Sequence, residues 1–119
     1  MVQWAQYQIN QLYQFYRELT FVSSNNGINT YRVPLTLTVS KTPLYVRIEC
    51  YGNFPITRPN LVVLSRVVNK DIEKTSKVIM TPLLEKWDLY KHGSNLLAVI
   101  REINSRFDAD PPIPEKLVE

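Results

Sequence analysis

One cysteine, Cys50, and one histidine, His92, are the only soft metal-ligating side chains in the chain. A lone cysteine closes no internal disulfide, and two such ligands fall short of the four that a structural zinc site takes. A disulfide framework and a structural metal are both excluded on this count, and no cofactor is expected. Long apolar runs are missing too. Leu61–Leu64 and Leu96–Ile100 are the longest, far short of the roughly 20 residues that cross a bilayer. The stretch Met1–Leu19 holds five glutamines and no charge before Arg17, so it has neither the basic start nor the apolar centre of a secretory signal. The sequence directs the chain nowhere out of the cytosol. Charge of one sign is also scarce. The net charge of +3 comes from cations mixed with anions, as in Lys70, Asp71, Glu73, Lys74 and Lys77. That is not the basic stripe interleaved with aromatics that nucleic acid selects, so nucleic acid is not an expected partner.

What is present reads as one globular domain over 1–119. A chain of 119 residues buries enough surface for one core, and 45% hydrophobic with 21% charged residues is ordinary for a folded protein. Ala5, Ile9, Leu12, Tyr16 and Leu19 recur three and four apart, which predicts a helix over about 2–19. Trp4, Tyr7 and Phe15 fall off that stripe and give the helix a second apolar face, where a solitary surface helix would be polar. These three are candidate partner-binding residues.

Ser23–Asn29, rich in Ser, Asn and Gly, reads as a loop that reverses the chain. Period-two alternation then begins. Tyr31, Val33, Leu35, Leu37 and Val39 mark a strand over about 31–39, in which Pro34 argues for an edge position because it donates no ladder hydrogen bond. Leu44, Val46, Ile48 and Cys50 mark a second strand over about 44–51, joined to the first as a hairpin through Lys41–Pro43. Residues 61–68 are more continuously apolar and predict a third strand covered on both sides. Asn69–Lys77 reads as a polar surface excursion, Val78–Met80 as extended, and Pro82–Trp87 as having little regular structure. Ser94 is placed to cap a last helix over about 95–107. Its core stripe is Leu96, Leu97, Ile100, Ile103 and Phe107, Glu102 can pair with Arg106 one turn on, and Asp110-Pro111-Pro112 ends it. The order predicts an α+β domain: an N-terminal helix, an antiparallel meander and a C-terminal helix packed on the sheet.

This order, with several short motifs, resembles the ubiquitin-conjugating-enzyme fold and in particular its inactive branch, the ubiquitin E2 variant (UEV) domains. Tyr31-Arg32-Val33-Pro34-Leu35 is similar to the opening of the family's first strand. Phe54-Pro55-Ile56-Thr57-Arg58-Pro59 resembles its aromatic-Pro-x-x-x-Pro turn, and Pro82-Leu83-Leu84-Glu85-Lys86-Trp87 its Pro-x-Leu-x-x-Trp segment. Ser94-Asn95-Leu96-Leu97 and Asp110-Pro111-Pro112-Ile113 are similar to its next helix and its Pro-Pro ending. The nearest resemblance is to UEV domains of ESCRT-I, the membrane-sorting complex. It implies a non-catalytic scaffold domain that joins other protein subunits and reaches endosomal membrane through them.

Ubiquitin transfer needs a thiolate nucleophile and an amide donor for the oxyanion that forms. Where active family members place the cysteine, this chain has Val78, Ile79, Met80 and Thr81, and the upstream His-Pro-Asn motif is missing. Cys50 shares the inward face of its strand with Ile48, where burial keeps a thiol unreactive. His92 precedes Gly93 in a turn without a carboxylate or nucleophile partner, and Trp87 reads as a core plug. The reading is therefore of a protein that is not an enzyme. The resemblance leaves recognition of ubiquitin or a short linear motif open as an alternative, because one ESCRT-I relative binds ubiquitin on its hairpin side and Pro-Thr-Ala-Pro peptides in an aromatic-lined groove. In that groove this chain has Ile56 in place of a second Tyr, and Ile113-Pro114 in place of Val-Phe, so Ile56 and Ile113 complete the candidate residues. A structural place in some other large assembly is the further alternative.

Overall fold

Alternation of apolar and polar residues from Val33 to Cys50 builds the centre of the sheet, because it puts Val33, Leu35, Leu44, Val46, Ile48 and Cys50 on one buried face. The computed structural model describes residues 2–39 and 43–115, with side chains from Trp4 onward. Its elements are helix α1 (Val2–Phe15), strands β1 (Thr20–Asn25), β2 (Ile28–Leu35), β3 (Leu44–Cys50), β4 (Asn60–Val63) and β5 (Val67–Val68), helices α2 (Pro82–Glu85), α3 (Leu89–His92) and α4 (Leu96–Ala109), and strand β6 (Ile113–Pro114). Strands β1 to β4 form one antiparallel meander in chain order, and β5 pairs with β6 in a separate two-stranded ribbon. The architecture is α+β, a four-stranded antiparallel sheet with helices.

The core is one cluster. Six residues of α4, Leu96, Leu97, Val99, Ile100, Ile103 and Phe107, are buried against the inner sheet residues and against Ile9 and Leu12 of α1. The expected α4 stripe is all there, and Val99 joins it. Trp87 fills the edge of this cluster: it is half-buried beside Phe54, and its Nε1 donates to the Pro55 carbonyl at 2.9 Å.

Several expectations give way to the structure. α1 stops at Phe15 rather than 19, because the chain turns through Leu19 N–H to Tyr16 C=O so that Thr20 can pair with Arg32. The presumed loop Ser23–Asn29 is instead the tip of a hairpin between β1 and β2. Asn26 and Gly27 both take positive φ, 54° and 78°, the backbone that tight two-residue hairpin turns require. β2 is consequently interior, yet Pro34 sits past the end of β1, whose pairing stops at Arg32. Its partner Tyr45 turns its carbonyl to Leu64 N–H on the far side, so the proline nitrogen lies on the β1 flank of β2, past the last residue that β1 pairs.

The third strand ends at Val63, not 68. There Val63 N–H turns to the Lys77 carbonyl and Ile79 N–H to that of Leu61, so the extended Val78 segment covers the outer edge of β4. Pro82–Glu85 is a short helix, started by a proline whose missing N–H costs nothing at a first turn. Asn95, not Ser94, caps α4, accepting from Ala98 N–H at 2.9 Å, while Ser94 Oγ bonds the backbone of Asp88. Arg106 does not depend on Glu102: it grips Asp71 with two bonds of 2.8 and 3.0 Å. The hairpin connection at 40–42 lies outside the described residues.

α1 is tied to α4 by a single side chain. Gln8 is 5% exposed; its Nε2 donates to the Ser94 carbonyl at 3.1 Å and its Oε1 accepts from Leu96 N–H at 2.9 Å. Removing it leaves a buried N–H and C=O unpaired at the start of α4, at a cost of about 1–3 kcal/mol. Gln8→Ala is therefore expected to lower the unfolding free energy by about that amount in urea melts, whereas Gln14→Ala, on the exposed side of the same helix, should change it by less than about 0.5 kcal/mol.

Candidate protein-interaction surface

Helical spacing gives α1 two faces, and the core takes only one of them. Ala5, Ile9, Leu12 and Tyr16 pack inward; Trp4, Tyr7 and Phe15 are 49, 66 and 57% exposed. The three candidates expected to form a second face thus lie on the surface, but the structure does not gather them at one point. Trp4 and Tyr7 line the first turns. There they form, with Gln11, Leu89 and Tyr90, a groove of about 530 Å³ between α1 and the segment from α3 to the start of α4. Trp4 meets Tyr90 edge to face at 6.2 Å between ring centres. Phe15 lies at the other end of α1, where the Arg101 guanidinium of α4 covers its ring at 4.4 Å, an attraction of the cation to the ring face.

The remaining candidates are separate again. Ile56 is exposed in the turn between β3 and β4, and Ile113 is exposed on β6, where it lines a hollow with Val68, Ile72 and Pro111. Ile56 is not among the walls of that hollow.

Charge is what sets the α1 region apart. Before Arg32 the chain carries only Arg17 and Glu18, so the exposed Trp4, Tyr7, Tyr13, Phe15, Phe21 and Val22 of α1 and β1 have few charges on their own elements, with Arg17 over the Tyr13 ring and Arg101 of α4 over that of Phe15. Monomer surfaces normally break up exposed apolar area, which makes these side chains candidates for contact with another molecule. Gln11 adds a polar feature: it lines the groove, and its Oε1 is buried with no hydrogen-bond partner among the described residues.

Tyr90 and Gln11 complete the groove and were not singled out in the sequence. Tyr90 had a signal. Asp88 stands one residue before Leu89 as an N-cap, accepting from Tyr90 N–H at 3.1 Å and Lys91 N–H at 2.9 Å, and a cap at that spacing announces a short helix. These bonds, the one from Lys91 first, hold the Asp88 carboxyl below the usual carboxylate range, helped by the nearby charges of His92 and Lys91. Gln11 had no signal, since nothing in spacing separates it from the other glutamines of α1.

The residues weighed for chemistry sit elsewhere. Cys50 ends β3 inside the core at 4% exposure, and burial pushes its thiol up to about 12. Ile79 and Thr81, in the segment where the resemblance would place a nucleophile, are buried as well. His92 is exposed at the end of α3. Among the described residues no helix is long and apolar enough to cross a membrane. Compared with models of known protein families and with curated proteins, the chain matches none of either.

A thiol whose pKa is near 12 is thiolate to about one part in 10⁴ at pH 8, against roughly a quarter for a free cysteine. Native protein mixed with a chromogenic disulfide reagent at pH 8 should therefore react about three orders of magnitude more slowly than the same protein unfolded in urea. Equal rates would place Cys50 at the surface.

Proposed function

We propose that the chain is a non-catalytic, UEV-like protein-interaction domain that holds a place in a larger assembly of the ESCRT-I type, with the uncharged aromatic face of α1 as its contact to another subunit. The observation that carries this reading is the exposure of Trp4, Tyr7 and Phe15 on a helix whose core face is already filled. Aromatic side chains left in water on a charge-free helix are the residue type and setting that supply binding energy in protein interfaces.

Two further features support the UEV comparison. The element order is helix, meander, then helix. Two motifs that carry the resemblance also meet in space although far apart in sequence: Trp87 donates to Pro55, and Arg58 Nη1 donates to the Leu84 carbonyl at 3.3 Å. Within the UEV domains the motifs most resemble the degenerate one that opens vacuolar protein sorting-associated protein 37 type A. The absence of catalysis is part of the proposal and rests on the buried, protonated Cys50 and on a Val78–Thr81 segment that offers no nucleophilic thiol.

The test is affinity purification of the tagged chain from its native cells, with mass spectrometry of what is retained. The wild type should recover other subunits of one stable assembly. Trp4→Glu/Tyr7→Glu/Phe15→Glu should lose them while keeping its far-ultraviolet circular dichroism and melting temperature, since these side chains lie outside the core. Recovery of an unrelated assembly through the same residues would keep the interaction role and remove the sorting pathway. Unchanged recovery by the triple variant would remove the role of α1.

A further inference from the structure

Resting on the reading of α1 as an interaction face, we infer that the groove beside it takes a short acidic peptide segment with apolar anchors, supplied by a partner protein. The groove between Trp4, Tyr7 and Tyr90 meets a second, smaller one of about 190 Å³ lined by Leu83, Ala98 and Val99, together with Lys86 and His92. Residues 93–95 are a wall of both. This shared wall is low. Gly93 carries no side chain, and a Cβ there would meet nothing within 4 Å. Ser94 turns its hydroxyl to the Asp88 backbone, and Asn95 turns its amide to the first turn of α4. A chain lying across this saddle touches an aromatic shelf on one side and an aliphatic pocket on the other.

The charge of the saddle selects the peptide. Among the described residues, neither groove has a carboxylate in its lining. Three carboxylates lie near the saddle in sequence but outside both linings: Asp88 accepts from the amides of Tyr90 and Lys91, Glu102 lies 3.4 Å from Leu83 N–H, and Glu85 is exposed one residue before Lys86. On the cationic side Lys86 and Lys91 are exposed, and the ion pairs among the described residues are Arg47–Glu49, Lys77–Glu115 and Arg106–Asp71, none of which uses them. Apolar walls with Lys86 in the lining and exposed Lys91 next to Tyr90 in the chain complement a segment of Leu, Phe or Trp flanked by Asp or Glu. These charges add selectivity and association rate, and the walls supply the anchoring.

The experiment is selection of a displayed random peptide library on the immobilised full chain, followed by titration of the selected peptides monitored by backbone amide shifts. The expected result is enrichment of Asp and Glu next to Leu, Phe or Trp, with shifts centred on Trp4, Tyr90 and residues 93–99. Binding should weaken by about tenfold or more in Lys86→Glu/Lys91→Glu and in Tyr7→Ala/Tyr90→Ala, and it should weaken steadily as sodium chloride is raised. All four positions are exposed, and melting temperatures of the variants check that the fold is kept. Proline-rich, uncharged or basic peptides that shift the same amides would overturn the acidic chemistry and leave α1 standing as an interaction face. Acidic peptides that map elsewhere, or that bind the charge-reversed variant unchanged, overturn the groove assignment. A selection that enriches nothing overturns the proposal, and the purification test then decides the interaction role by itself.

Discussion

The two bonds made by the Gln8 amide give α1 a directional tie to the start of α4. A helix held only by the apolar contacts of Ala5, Ile9, Leu12 and Tyr16 could slide or roll, because apolar contact has no direction. An amide that both donates to Ser94 and accepts from Leu96 sets the helix at one height and one rotation against α4, since displacing it would bury two unpaired polar groups. Trp4 and Tyr7 are then held at the rim facing Tyr90, and Phe15 beneath Arg101. The groove is in this sense a consequence of one side chain that is itself almost wholly inside.

The distribution of charge follows a complementary logic. Residues that fold the domain and residues that face water are mixed from Arg32 onward, where cations and anions alternate and form pairs such as Arg106 with Asp71. The first two elements lack this mixture. α1 packs on α4 and β1 forms one edge of the sheet, and their exposed side chains are aromatic, aliphatic or uncharged polar. Exposed aromatic rings with few charges beside them lose little on desolvation and meet little like-charge opposition from another protein, which is the physical ground for the proposed contact.

How much of this was readable in the sequence depends on how each element satisfies its backbone. The α4 stripe and the alternation of β2 and β3 were legible because one face of each is buried in the common cluster, and burial writes a period into the residues. β1 was not legible as a strand, since all six of its residues are exposed and a strand wet on both faces carries no alternation. Its only signal was the Asn26-Gly27 pair, which marks a hairpin turn by backbone conformation rather than by hydrophobicity. The end of β4 and the choice of Asn95 over Ser94 as a cap were set by tertiary partners, the 77–79 segment and the Asp88 backbone. No local pattern could announce them. For the surface, exposure of Trp4, Tyr7 and Phe15 followed from spacing alone, whereas their division between two ends of α1, and the distance of Ile56 from the Ile113 hollow, required the fold.

The central claim is that the neutral face of α1 touches a partner protein inside the cell. Site-specific photo-crosslinking tests it most directly: a photoreactive amino acid is placed at Tyr7, and for comparison at Glu73, which is exposed in the charged excursion after β5. The account predicts one discrete crosslinked protein from position 7 and none from position 73. Crosslinks from position 73 alone, or an unmodified Tyr7 site in a chain that still co-purifies with its assembly, would contradict it.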